Sequence, residues 1–323
     1  MKSWIWGAAA LIAAVVVPSF LDPAGYPIRV LTLTLLFAAL GQAWNIVGGL
    51  ANQISLGHAA FFGIGAYTST ILLIHFNLSP WIGMLAGAAL AALAAFLLSF
   101  PTMKLRGHYF ALATLAFSEV LRVIASSWTS VTGGPAGLSV PYAADSLALL
   151  QFKGTTPYYY IILGALVLIC VIFLVIQKSA LGYRLRAVKE NPDAAEVVGV
   201  DTTRVKITAA VISAALTALL GTLYAQFTYF FDPEAVFGIV AISVRAAIIA
   251  ILGGAGTLAG PLIGAFVIVP LEEFANAALS SRAAGLSQLV FGLMLIGIIL
   301  IEPRGLLVLV SNGIARLRKG RKG

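Results

Sequence analysis

Charged residues are scarce in this chain of 323 residues: Asp, Glu, Lys and Arg make up 10% of it, against about 25% in an ordinary soluble domain. Hydrophobic residues make up 60%. A soluble protein needs a more polar surface, and a disordered chain is poor in apolar residues, so the composition excludes both classes. The apolar runs are long, which favours membrane-spanning helices over the alternating ~10-residue strands of a membrane barrel.

Residues that hold metals or perform catalysis are also few. Cys170 is the single cysteine, which excludes an internal disulfide and a cysteine-rich metal site. The three histidines, His58, His75 and His108, lie too far apart for a metal-binding motif. The sequence has no Gly-x-Ser-x-Gly or His-Glu-x-x-His motif, and it lacks the dipeptide Gly-Lys and therefore a P-loop. We predict that the chain is not an enzyme, holds no metal or cofactor, and needs another subunit for any ATP-driven work.

The apolar runs predict an all-α fold, a polytopic helical membrane protein with about ten transmembrane helices, because a spanning helix needs about 20 apolar residues. The runs cover residues 4–21, 28–47, 58–77, 80–100, 108–126, 157–177, 207–229, 239–252, 259–279 and 286–303. They form a single domain over residues 1–323. No small-x-small cleavage site follows the first run, so an uncleaved helix is preferred to a signal peptide.

The distribution of basic residues indicates the orientation of these helices. Most of the 20 Lys and Arg residues lie in the segment 178–206, in the tail 304–323, at Lys104 and Arg106, or at Lys2. Ten spans place all of these on one side, and such a bias marks the cytoplasmic side. We predict a multi-pass protein of the bacterial inner membrane with both termini in the cytoplasm. The net charge of +8 then reflects topology and not nucleic-acid binding.

Two Gly-rich breaks interrupt the apolar pattern, at residues 48–58 and 253–261. Irregular backbone at membrane depth is tolerated only where protein or a water-filled cavity covers it, and in transporters such breaks mark the substrate path. The alternative is that both are plain cytoplasmic turns. The functional interpretation is stronger for the first break, because it carries Gln53, Ser55 and His58.

Charged residues inside the predicted spans are the other candidates for a polar path. Glu119 lies near the middle of its span and is nearly the only acidic candidate, with Arg122 placed to pair with it at i+3. Arg245 lies inside the short eighth span. A charge at this depth costs about 2.5–3.5 kcal/mol on insertion scales, so it faces protein or water. These residues either line a substrate path or form structural ion pairs between helices.

The charged segment 178–206 contains a short predicted helix. Asn191 can cap it, Pro192 suits the first helical position, and Gly199 can end it. A helix of about two turns is marginal alone in water, so it is either docked on another protein or part of a solvated loop.

Several motifs taken together resemble one family. They are residues 53–67 (QISLGHAAFFGIGAY), 105–115 (LRGHYFALATL), 132–138 (TGGPAGL), 252–261 (LGGAGTLAGP) and 302–306 (EPRGL). The sequence resembles, over about 44–305, the membrane permease subunits of bacterial ABC importers for branched-chain amino acids. The resemblance implies a permease that works with a second related permease, cytoplasmic ATPase subunits that bind ATP and Mg, and a periplasmic or lipid-anchored substrate-binding protein.

The resemblance also assigns the charged segment and the path. Residues 193–199 (DAAEVVG) are similar to the Glu-Ala-Ala-x-x-x-Gly motif that docks on the ATPase, with Asp in place of the first Glu. The candidate ATPase-coupling residues are Arg186, Glu190, Asp193, Ala194, Ala195, Glu196 and Gly199. The candidate residues of the substrate path are Gln53, Ser55, His58, Thr114, Glu119 and Arg245.

One departure from the family bears on the cargo. The family commonly has Ser-x-Glu before the second break, where this chain has Ser243-Val244-Arg245. The expected cargo is leucine, isoleucine and valine, and the alternative is the same machine carrying urea, short amides or other amino acids. Further alternatives are an ion-coupled secondary transporter, a membrane enzyme and a passive channel. A secondary transporter would need ionisable groups within its spans, where Glu119 is nearly the only acidic candidate, and an enzyme would need clustered His, Asp or Glu residues. Neither an enzyme nor a channel explains residues 193–199.

Overall fold

A computed structural model gives the structure of the chain for residues 11–23, 25–102, 105, 107–279, 285–301 and 306–307. Residues 4–10 of the first predicted span lie outside this description. So do Lys104, Arg106 and residues 302–305 and 308–323.

Seven helices of the described chain are long and apolar enough to cross a membrane. They are α2 (Tyr26–Ala51), α3 (His58–Phe76), α4 (Pro80–Thr102), α5 (His108–Ser127), α7 (Thr155–Lys178), α10 (Thr202–Thr228) and α13 (Ala259–Leu279). Shorter apolar helices are α1 (Leu11–Phe20), a π-helix (Ile239–Val244) that continues into α12 (Arg245–Gly254), and α14 (Leu286–Ile301). The connections contain α6 (Thr129–Thr132), α8 (Ala180–Glu190), α9 (Pro192–Val197) and α11 (Pro233–Phe237).

The prediction of an all-α, polytopic membrane protein is confirmed. Each of the ten predicted spans coincides with one of the apolar helices, within the described residues. A clear shift occurs at α10, which begins at Thr202 instead of 207 because Asp201 caps it, accepting a hydrogen bond from the Arg204 amide at 2.9 Å.

Helix α2 lies at the centre of the molecule. All its residues from 34 to 51 are buried, and it packs against α7, α10, α12 and α13. Because neighbouring helices surround α2, every side of it can be apolar, and it therefore shows no amphipathic pattern.

Helices α3, α4 and α10 approach one another through glycines. A Cβ on Gly65 would lie 2.0 Å from the carbonyl oxygen of Ala218, and one on Gly221 would lie 2.0 Å from that of Phe62. A Cβ on Gly87 of α4 would lie 3.1 Å from the Cα of Gly65. Association in a bilayer depends on such close packing, because lipid tails are as apolar as the side chains.

The two ends of the bundle carry different structures. At one end, the strands β1 (Leu138–Ser139) and β2 (Phe230–Phe231) pair antiparallel, and this end is called the hairpin face. At the other end lie α8 and α9, and this end is called the charged face. Sequence analysis predicted one helix in the segment 178–206. The additional helix α8 forms because Ser179 caps it and because Leu185 and Val188 are buried.

Candidate functional site

The first Gly-rich break is a buried return of the chain and not a plain turn. Helix α2 ends where Asn52 adopts a left-handed conformation with φ 54°. The chain then runs back beside α2, since Trp44 Nε1 donates a hydrogen bond to the Ser55 carbonyl at 2.9 Å. Gln53 and Ser55 are buried. Helix α3 therefore begins inside the bundle, and protein covers most of the irregular backbone, while Asn52 and Ile54 are exposed.

His58, the first residue of α3, is fully buried beside α10. Ser213 Oγ donates to the Ala43 carbonyl at 2.7 Å, so the Ser213 hydroxyl has no second proton to donate to His58. His58 Nε2, 2.8 Å from the same oxygen, must then donate to it. The other ring nitrogen, Nδ1, is also buried. His58 thus lies in a polar contact between α2, α3 and α10.

The same break is tied to two further elements. The Leu56 amide donates to Thr114 Oγ1 on α5 at 3.0 Å. On the π-helix, Ser243 Oγ donates to the Leu56 carbonyl at 2.7 Å and accepts from the Ala59 amide at 2.8 Å. Movement of the break must therefore move α5 and the π-helix, or break these bonds.

Arg245, which directly follows the π-helix, forms an ion pair with Glu272 of α13. The side chains keep 24% and 16% of their surface exposed, and the guanidinium lies 4.5 Å from the centre of the Phe37 ring. Arg245 stands where the family commonly has Glu, and Glu272 neutralises the positive charge that this change introduces. Both groups line a cavity of about 630 Å³.

Glu119 belongs to a second charged group on the surface of α5. The predicted i+3 pair is confirmed: Arg122 Nε donates to both Glu119 oxygens at 3.0 and 3.1 Å. Arg122 Nη1 also donates to Glu234 of α11 at 3.0 Å. The Glu119 side chain is 42% exposed although it lies in a membrane span, so this face of α5 needs protein or water beside it.

The second Gly-rich break is a tight turn at the charged face. Asn45 of α2 holds it with two bonds, donating to the Thr257 carbonyl at 2.8 Å and accepting from the Gly256 amide at 2.7 Å. Gln177 at the end of α7 donates to the Gly256 carbonyl at 3.3 Å. The turn is thus packed against α2 and α7, and it does not reach the cavity beside Arg245.

The predicted helix in residues 192–198 is present as α9. Asn191 Oδ1 accepts from the Asp193 and Ala194 amides at 3.0 and 3.1 Å, which confirms the cap. Ala195 is buried, and Asp193, Ala194 and Glu196 are exposed. Val197 and Val198 are 88% and 76% exposed, so none of the described residues covers this apolar surface beside the acidic side chains.

The flanking residues of α8 differ from one another in their contacts. Arg186 donates to the Gln177 carbonyl at 2.8 Å and lies over the Tyr183 ring, so it stabilises the end of α7. Glu190 is exposed. Lys189, which sequence analysis did not select, donates from Nζ to the Gly49 carbonyl at 3.0 Å and joins α8 to the end of α2.

The hairpin face carries its own polar cluster. Asp145 Oδ1 accepts from the Tyr142 hydroxyl at 2.7 Å and from the Lys153 amide at 2.8 Å. These bonds, that from Tyr142 foremost, hold the pKa of Asp145 below its usual range, and the pKa of Tyr142 rises to about 12. They stabilise an ordered loop on this face.

Sequence reasoning missed Ser213, Ser243, Lys189 and Glu272. Nothing local distinguishes Ser213 from other small polar residues of the spans, whereas Ser243 stands in the Ser-x-Glu position that drew attention only to Arg245. Glu272 could have been found by the rule that selected Glu119. The statement that Glu119 is nearly the only acidic candidate is wrong, because α13 carries both Glu272 and Glu273 inside a span.

Comparison with known proteins gives consistent results. Residues 26–299 match the model of the family described as branched-chain amino acid transport system / permease component. The chain is similar to the high-affinity branched-chain amino acid transport system permease protein LivM of Escherichia coli (strain K12), with 31% identity over 98% of this chain and 79% of that protein. It is also similar to LivM of Salmonella typhimurium, with 30% identity over 99% and 78%. The probable permease LivH of Methanocaldococcus jannaschii is 26% identical over 84% and 88%. No solved structure is a significant match.

Proposed function

The chain belongs to the family of permease components of branched-chain amino acid transport systems, and from this membership we propose that it forms part of the translocation path of an ATP-driven importer for leucine, isoleucine and valine. The match over residues 26–299 carries the proposal. The neutralised Arg245 supports it too, because the departure from Ser-x-Glu leaves no uncompensated charge beside the cavity.

The partner across the path is a second permease. The chain shares 31% identity with Escherichia coli LivM and 24% with LivH of the same strain. Because the identity to LivM is higher, we assign the chain to the LivM-type subunit, which pairs with a LivH-like subunit. The face with Glu119 and Arg122 is suited to that contact, since its charges need cover within the membrane.

The energy comes from ATPase subunits that hold ATP and Mg and dock at α9 in the cytoplasm. The exposed Val197 and Val198 beside Asp193 supply an apolar and acidic contact surface for them. Lys189 links this segment to the end of α2, and hence to the break that holds His58. A binding protein delivers the amino acid at the hairpin face.

Uptake into reconstituted vesicles, with the hairpin face outside and ATP enclosed inside, tests this function. The chain is co-expressed with its neighbouring transporter subunits, and labelled leucine and labelled urea are offered with and without ATP. We expect leucine uptake that depends on ATP and on the binding protein. ATP-dependent uptake of urea without leucine would mean that urea, and not a branched-chain amino acid, is the cargo. Equal uptake with and without ATP would reject the ATP-driven importer in favour of a secondary transporter or a channel.

Glu119→Gln is expected to lower leucine uptake about fivefold while the complex still assembles, since removing one charge from a partly exposed network changes its free energy by about 1 kcal/mol. Glu234→Gln is the matched control, because it removes the other carboxylate on Arg122 outside the spans. Uptake rates and co-purification of the subunits are measured together. A loss of assembly with normal uptake per assembled complex would make Glu119 a structural residue.

A further inference from the structure

The cavity beside Arg245 has the size and character of a small-molecule site. Its volume of about 630 Å³ lies within the range of about 300–1,000 Å³ that is usual for such sites. Its walls come from α11, the π-helix, α12, α13 and α14. The apolar lining residues include Val240, Ala241, Val244, Ile248, Ile268 and Phe291.

Two opposite charges meet in this apolar wall. The Arg245 guanidinium has five N–H donors, and Glu272 is its hydrogen-bond acceptor within the described part of the chain. Arg245 Cζ lies 4.5 Å from the centre of the Phe37 ring, in a cation–π contact. Both charged groups remain partly exposed, so donors and carboxylate lone pairs are open to the cavity.

Stability alone is a weak reason for this pair. Burying two charges is costly, and replacing a buried ion pair by apolar residues is often neutral or stabilising. This pair keeps part of its surface exposed, and both of its residues line the cavity, where a solute has access to them. The lining of the same cavity includes Asp232, whose carboxylate attracts a cationic group towards it.

We propose that Arg245 and Glu272 form a subsite for the zwitterionic end of an α-amino acid, with Arg245 binding the carboxylate, Glu272 the ammonium group, and the apolar wall the branched side chain. This inference rests on the proposed function. The ligand's two charges replace the contacts that the pair makes with itself, so binding exchanges one set of ion pairs for another. A planar guanidinium suits a carboxylate through two parallel hydrogen bonds.

The exchange of the two residues tests the subsite. The double variant Arg245→Glu/Glu272→Arg keeps both charges and the ion pair but reverses their positions. The full transporter is reconstituted with saturating binding protein, and labelled leucine uptake and ATP hydrolysis are measured in the same vesicles. We expect uptake to fall about tenfold while hydrolysis stimulated by the loaded binding protein stays within about twofold of wild type.

Arg245→Lys is the second variant, in case the exchange impairs folding. It keeps the charge and a pair with Glu272 but loses the planar fork, so uptake is again expected to fall about tenfold. Wild-type uptake in both variants, or uptake and hydrolysis falling in parallel, would make the pair structural and overturn the subsite while the leucine importer stands. A wild-type complex that takes up urea but not leucine would reject both the cargo and the subsite.

Discussion

Gly199→Val is expected to abolish ATP-driven leucine uptake and ATPase docking while leaving membrane insertion intact. Gly199 follows α9 with φ +87°, a left-handed conformation that costs an L-residue about 1–2 kcal/mol and a β-branched residue more. A Cβ at this position meets nothing within 4 Å, so the penalty is conformational and not a clash.

The hydrogen bonds after α9 explain why this strain matters. The Gly199 amide donates to the Glu196 carbonyl at 2.9 Å, and the Val200 amide donates to the Ala195 carbonyl at 3.0 Å. Together they form a Schellman motif, which needs a left-handed residue at Gly199. Without it the end of α9 unwinds, and Val197 and Val198 no longer present one surface to the ATPase.

Two substitutions separate this cause from a general loss of stability. Gly199→Asn is expected to retain most of the uptake, because Asn tolerates the left-handed region. Gly154→Val places the same side chain at another open glycine, with φ −96°, and is expected to behave as wild type. Uptake, ATPase co-purification and the amount of permease in the membrane are measured for each. Normal uptake by Gly199→Val would remove Gly199 from the coupling segment.

The sequence could predict the helices because each span is a long apolar run that must satisfy its own backbone hydrogen bonds. The cap at Asn191 and the end at Gly199 could also be predicted, since both depend on residues within about one turn. Helix α8 was not predicted because charged and polar residues interrupt its apolar ones, and the few apolar residues that it buries, among them Leu185 and Val188, form only a narrow stripe. Its burial depends on α2, which lies far away in the sequence, as well as on the adjacent helix α7.

The site could be predicted only as a set of separate residues. Sequence analysis selected His58, Thr114 and Arg245 but not the partners that give them geometry. Ser213 lies 155 positions from His58, and the bond from the Leu56 region to Ser243 spans 187 positions. Contacts at this range follow from helix packing, which no local pattern encodes. The coupling and path roles of the selected residues stay predictions.

The end of α2 is where the charged face meets both Gly-rich breaks, and Lys189 is the residue that joins them. Its ammonium group donates to the Gly49 carbonyl, one of the last four carbonyls of α2, which have no partner within the helix. A side chain on Gly256 would come within 3.6 Å of Lys189 Nζ, so the second break lies against the same group. Gly49 itself belongs to the first break, which starts in the last turn of α2.

Lys189→Met is therefore expected to reduce leucine uptake about ten- to hundredfold while ATP hydrolysis continues, since a hydrogen bond from a charged group is worth about 1.5–3 kcal/mol and about 1.4 kcal/mol corresponds to a factor of ten. Methionine keeps the length and the apolar stem but loses the donor and the charge that favours a helix C-terminus. Movement of α9 then no longer reaches α2, and hydrolysis is uncoupled from transport.

Lys189→Arg is the matched control, because it keeps a charged donor at the same place, and at least a third of the wild-type uptake is expected. The ratio of leucine transported to ATP hydrolysed, measured in one set of vesicles, distinguishes coupling from stability. A merely structural Lys189 would lower the amount of complex and leave this ratio unchanged. A fall in the ratio for Lys189→Met alone would place the link between the ATPase and the path at the hydrogen bond to Gly49, because the two variants differ in the charged donor at that position.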